Sequence, residues 1–177
     1  MKKKVLSIVA VVLVLCCAIG GTLAWLTDKT ASVTNTFTVG DINIELTETT
    51  TNYKMVPGNT IAKDPKVTVQ ANSEACWLFV KVEKSSNFDS FMTYEMADGW
   101  TALAGVEGVF YREVDATTTA TEFSVLKDNS VLVKDTVTKA DLNALTQNTF
   151  PTLTFTAYAV QKDNVATVTD AWAKANA

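Results

Sequence analysis

Histidine is absent from all 177 residues. That absence removes the Ser-His-Asp triad, the Cys-His pair and the His-Glu-x-x-His zinc site from the chemistry open to this chain. Cysteine is scarce too: Cys16 and Cys17 fall near the start, and Cys76 stands alone further on. One thiol cannot close an internal disulfide, so the fold must stand on its apolar core. Glycine (7) and proline (3) are few, and there is no phosphate-binding glycine motif. No internal repeat or linker is visible, and the only low-complexity tract, Thr117 to Thr121, reads as a loop.

What is present begins at the N-terminus. Lys2, Lys3 and Lys4 form a charged start, and Val5 to Ile19 is an uncharged apolar run broken only by Ser7. Gly20-Gly21 ends the run, and Thr22 and Ala24 occupy the two positions a signal peptidase reads. This is the three-part pattern of a secretory signal peptide over residues 1–24, cleaved before Trp25. The alternative is an uncleaved anchor, because Val5 to Leu26 is uncharged and about 20 apolar residues span a bilayer; the Gly-Gly break and the Thr-Leu-Ala exit favour cleavage. Leu15 before Cys16 makes a poor lipoprotein box, so both early cysteines leave with the signal peptide. Removing the three lysines takes the net charge from −4 to −7. That acidic balance argues against nucleic acid and against an anionic membrane surface as partners. Membrane contact is expected only through the signal peptide, and no covalent attachment is expected at the C-terminus.

The mature part is long enough for one domain with a sizeable core. Apolar residues alternate in short runs, the signature of strands. Ile42, Ile44 and Leu46 share one face, and Val67 and Val69 another. From Cys76 to Glu83, Cys76, Leu78, Val80 and Val82 face one way, with Trp77, Phe79, Lys81 and Glu83 opposite. Val109–Val114, Phe123–Leu126, Val131–Val133 and Leu153–Val160 read similarly. Pro57-Gly58, Asp98-Gly99 and Asp128-Asn129 carry turn chemistry. Thr138 is placed to cap a short helix through Leu145, and Thr169-Asp170 to open a last one through Ala171, Trp172 and Ala173. Seven to nine short strands with one or two short helices predict a mostly β fold, an antiparallel β-sandwich or jelly roll.

Chemistry is harder to find. Asp89, Glu95, Asp98, Glu107, Glu113 and Asp115 are candidate carboxylates, but their spacing singles out no pair, and a solvated acidic surface accounts for them. Asp163-Asn164 and Asp128-Asn129 do not form calcium loops. Cys76 sits in an apolar strand and reads as a packed core thiol. Trp77 and Phe79 form either a binding platform or the second face of a doubly buried strand; Tyr158 and Trp172 read as core. The sequence therefore predicts no catalytic residue, no metal and no cofactor.

The segments Gly21-Thr22-Leu23-Ala24-Trp25-Leu26-Thr27-Asp28 and Asn35-Thr36-Phe37-Thr38-Val39-Gly40-Asp41-Ile42 resemble the TasA–camelysin family of secreted Gram-positive proteins. Val56 to Pro65 looks like that family's proline-glycine turn, and Phe155 to Gln161 with Ala171-Trp172 is similar to its C-terminal strand and helix. The resemblance is poor between Ser85 and Thr149. It implies export by a SipW-type signal peptidase and a jelly roll that self-associates into extracellular biofilm fibres, with an N-terminal strand completing a neighbour's sheet. A second matrix or anchoring subunit is a further partner the resemblance allows. Camelysins have also been classed as surface metallopeptidases, a reading the missing histidine opposes; a monomeric extracellular binding module is the third alternative.

Residues 25–39 are the expected polymerisation strand, ahead of a sandwich domain over 40–177. Trp25, Ala31, Val33, Phe37 and Val39 fall on odd positions, whereas Asp28, Thr30, Ser32, Thr34, Thr36 and Thr38 are even and polar. The phase flips at Gly40-Asp41, since Ile42, Ile44 and Leu46 are even. A period of two cannot cross that flip without a turn or bulge. The pattern alone fits pairing within the domain or between subunits equally well.

Overall fold

A computed structural model describes residues 41–50 and 53–177. The signal peptide, residues 25–39 and both domain boundaries, at 24/25 and 39/40, lie outside the described residues. Those described form ten strands: β1 (Ile44–Thr47), β2 (Thr60–Ala62), β3 (Lys66–Val69), β4 (Cys76–Lys84), β5 (Met92–Thr93), β6 (Thr101–Ala102), β7 (Val109–Val114), β8 (Thr121–Ser124), β9 (Ser130–Val133) and β10 (Leu153–Gln161). Three short helices join them: α1 (Phe88–Phe91), α2 (Lys139–Asn143) and α3 (Val168–Ala175). All pairings are antiparallel, in three sheets ordered β1-β3-β8, β10-β4-β7-β6 and β2-β9-β5. The fold is mostly β, as the alternation predicted.

β4 is the centre of the molecule. Its even residues Cys76, Leu78, Val80 and Val82 pack with Val67, Val69 and Val125, a core between the β1-β3-β8 sheet and one face of the four-stranded sheet. Its odd residues Trp77 and Phe79 pack with Val109 and with Ala171 and Trp172 of α3 on the opposite face. The Trp172 ring lies 5.3 Å from Phe79 and 5.4 Å from Tyr158, in the tilted and edge-on arrangements aromatic quadrupoles favour. The choice left open for Trp77 and Phe79 is thereby resolved: they fill the second face of a strand buried on both sides. A third core gathers Phe88, Met92, Leu126, Val131 and Val133 under the β2-β9-β5 sheet.

Local chemistry explains the breaks. Gly58 takes φ +73 in the Pro57 turn, closed by Asn59 N–H donating to the Val56 carbonyl at 3.0 Å. At Gly108, φ is +72 and a β-carbon would meet the Val82 carbonyl oxygen at 2.5 Å, so only glycine fits at the head of β7. Asp128 and Asn129 adopt φ +53 and +48 in their turn, a conformation Asn and Asp tolerate best after glycine.

Three expectations need correction. Ten strands are present among the described residues, not seven to nine, because β2, β5 and β6 hold only two or three residues each. The expected strand Phe123–Leu126 is instead Thr121–Ser124, with Val125 and Leu126 turned into the core beyond its end. The last helix is capped by Thr167, not Thr169: its Oγ1 accepts from Asp170 N–H at 3.1 Å, the N-cap to N3 spacing. Thr138 caps α2 as expected, in a reciprocal capping box with Asp141.

Candidate functional site

The expected cleavage residues Thr22, Ala24 and Trp25, and the expected strand residues Trp25, Ala31, Val33, Phe37 and Val39, lie outside the described residues. What the structure does describe is a surface able to receive a strand. β10 is the outer strand of its sheet: β4 pairs with one side, and no described strand hydrogen-bonds to the other, although β1 of the facing sheet runs close by. It runs nine residues with no charge, proline or glycine. The other outer strands hold two to four residues. Soluble proteins blunt exposed edges with shortness, charge or bulges, and β10 has none of these.

The Leu153 end of β10 opens into a groove of about 850 Å³, lined by Met55, Ile61, Lys63, Met92, Phe150 and Leu153 among others. Val56 and Phe150 on its rim are 48% and 51% exposed. All three methionines that follow the signal region, Met55, Met92 and Met96, belong to the core beneath this groove. Methionine's unbranched, polarizable side chain adapts to whatever apolar shape meets it.

Lys63 forms the groove's polar floor. It is 9% exposed, with Nζ 2.7 Å from Glu48 Oε1 and over the rings of Tyr53 and Phe155 at 5.1 and 5.3 Å. The Tyr53 hydroxyl donates to the same Glu48 oxygen at 2.6 Å. Burial, then this hydrogen bond to a carboxylate, pushes the Tyr53 phenol well above its ordinary pKa, so it stays a donor. The groove and Lys63 were not read from the sequence. A lone lysine between Ala62 and Asp64 looks like any solvated charge, and only its salt bridge, fifteen residues away, keeps it inside.

The carboxylate candidates are not brought together. Asp89 pairs with Lys84 at 2.6 Å, Glu95 with Lys127 at 2.5 Å, and Glu113 with Lys162. Asp98, Glu107 and Asp115 are exposed. The hydrogen bond from Lys127 holds Glu95 below the usual carboxylate range, as Thr49 does Asp64 and Thr138 does Asp141. A general acid working near neutrality needs the opposite shift. Asp128, Asn129 and Asn164 serve turns through their positive φ.

The zinc that the metallopeptidase reading implies does not fit these residues. With no histidine in the sequence, only carboxylates and one thiol remain as donors. Among the described residues no three of them cluster. Cys76 is fully buried, and burial pushes its thiol up to about 11, whereas a metal ligand must be a thiolate. Alkylation of Cys76 with iodoacetamide at pH 8 is therefore expected to run at least about 100-fold slower in the folded mature chain than in denaturant. Equal rates, read by intact mass, would contradict its placement. Among the described residues no helix is long and apolar enough to cross a membrane.

No curated protein and no solved structure matches the chain. A family model does match: residues 1–84, a little under half of the 177, fit the one described as Camelysin metallo-endopeptidase. That stretch contains both junction segments and the proline-glycine turn, and over it the chain is similar to the camelysin family.

Proposed function

We propose that the mature chain is a secreted structural subunit of extracellular matrix fibres, in which residues 25–39 of one copy add to the β10 edge of the next. The observation that carries the reading is the long, uncharged edge of β10 with an apolar groove at its Leu153 end. The described chain starts at the other end: the Asp41 carbonyl accepts from Glu74 N–H, close to where Gln161 pairs with Cys76. Asp41 thus stands far from the groove, at the opposite end of a strand roughly 26–30 Å long. Main-chain bonds along the edge and apolar side chains in the groove are the two components of β-augmentation.

Secretion with cleavage before Trp25 is part of the proposal. Intact mass of secreted material should correspond to residues 25–177, and negative-stain microscopy of that material should show fibres. A population of dispersed monomers at all concentrations would reject the fibre reading. The camelysin description favours a peptidase as the second reading, and the donor set argues against it. The expected result is less than 0.1 equivalent of zinc after purification (about a tenth of one site filled) and no chelator-sensitive casein digestion. Stoichiometric zinc with activity that survives a second column would restore the peptidase.

A further inference from the structure

Arg112 is the only arginine in the chain, and it lacks the carboxylate partner that six of the ten described lysines have. Six lysines each have a carboxylate within 2.9 Å. Arg112 makes no ion pair and donates no hydrogen bond among the described residues, and its Nε is buried without a partner. It lies on β7, on the same face as Phe110 and Val114, which turns toward the core between the two larger sheets.

Its surroundings are built to hold a planar cation. The guanidinium carbon lies 4.0 Å from the Phe123 ring centroid on β8 and 5.3 Å from that of Trp100. Trp100 is itself buried and fixed by its indole N–H donating to the Ser124 carbonyl at 2.8 Å. Gly99 makes room, since a β-carbon there would stand 2.8 Å from Nη2. Burial lowers the pKa of this group, yet a guanidinium remains charged at any physiological pH. The Nε–H is buried out of a ligand's reach, whereas the two Nη groups, neither buried nor hydrogen-bonded among the described residues, are open to an outside acceptor. β6 and β8, the outer strands beside it, form a seam at the opposite edge of the sandwich from β10.

We propose that Arg112 is the recognition point of a second binding site, one that takes a carboxylate side chain from an acidic peptide segment. A carboxylate matches the paired in-plane donors of the two Nη groups. The ring faces nearest the guanidinium are already covered by it, so the site offers edges rather than a stacking platform. That geometry selects a peptide carboxylate over an acidic sugar. The site is independent of the β10 edge and of the fibre reading.

Anisotropy of dye-labelled hexaglutamate with the mature protein tests the proposal. Saturable binding is expected, competed by unlabelled hexaglutamate but not by hexaglutamine, and weakened at least tenfold in Arg112→Gln. Arg112→Lys, which keeps the charge but loses the fork, should also bind at least tenfold more weakly. Wild-type protein supplies a check that needs no variant: phenylglyoxal can modify only one arginine, and hexaglutamate should protect it. Absence of binding, absence of protection, unchanged affinity in Arg112→Gln, or competition by oligogalacturonate alone would each overturn the assignment.

Discussion

Deleting residues 25–38 from the mature chain is expected to leave a folded, soluble monomer that no longer sediments. The deleted segment supplies an apolar face, Trp25, Ala31, Val33 and Phe37, with Val39 just beyond the cut, while the described domain has three apolar cores of its own. Burying each of the large side chains in a neighbour contributes on the order of 1.5–3 kcal/mol. Every 1.4 kcal/mol is about tenfold in affinity, so Phe37→Ala alone should raise the polymerisation threshold by about 10- to 100-fold. Sedimentation against concentration measures both effects. A truncated protein that stays folded and still forms fibres would remove strand addition from the account.

The second large effect concerns Glu48. Lys63 is 9% exposed, and replacing Glu48 with alanine leaves its ammonium over two aromatic rings without its carboxylate. Breaking one side of a buried pair typically costs about 3–5 kcal/mol, which lowers the melting temperature of a domain this size by roughly 6–20 °C. The double variant Glu48→Leu, Lys63→Met removes both charges and keeps the apolar stem of the lysine against the rings. It should recover most of that loss, since the Tyr53 hydroxyl also donates to the Thr50 carbonyl. A double-mutant cycle by calorimetry reads the coupling. Equal melting temperatures in the single and double variants would mean that the pair is effectively solvated.

These two sites differ in how far the sequence announces them. β4 was legible on both faces because nine residues carry the period of two through several cycles. β2, β5 and β6 were not, since two or three residues cannot display a period; they are strands only because β9 and β7 run beside them. Thr167 stands three residues before Asp170, the spacing an N-cap needs, but the adjacent pair Thr169-Asp170 carries the same residue types, and sequence alone does not separate the two. The length and neutrality of β10 could be read from its residues, whereas its place at the outside of a sheet could not, because strand order depends on pairings distant in sequence. The groove needs residues from Tyr53 to Thr154, and no local pattern encodes such an assembly. Arg112 stood in plain view, and its singularity became informative only once its neighbours lacked a carboxylate.

The separation between the Asp41 end of the domain and the groove has a further consequence. In the proposed assembly the subunits would all point in one direction, so the polymer would be polar with two chemically different tips. One tip presents an open groove, the other an unused N-terminal segment, and repetition of a non-closing contact yields a filament rather than a ring. A copy lacking residues 25–38 still carries the groove, so it binds only the tip that offers a segment and offers none of its own. Added in trace amounts, it should act as a one-sided cap, shortening fibres in proportion to its mole fraction while leaving growth at the groove tip intact.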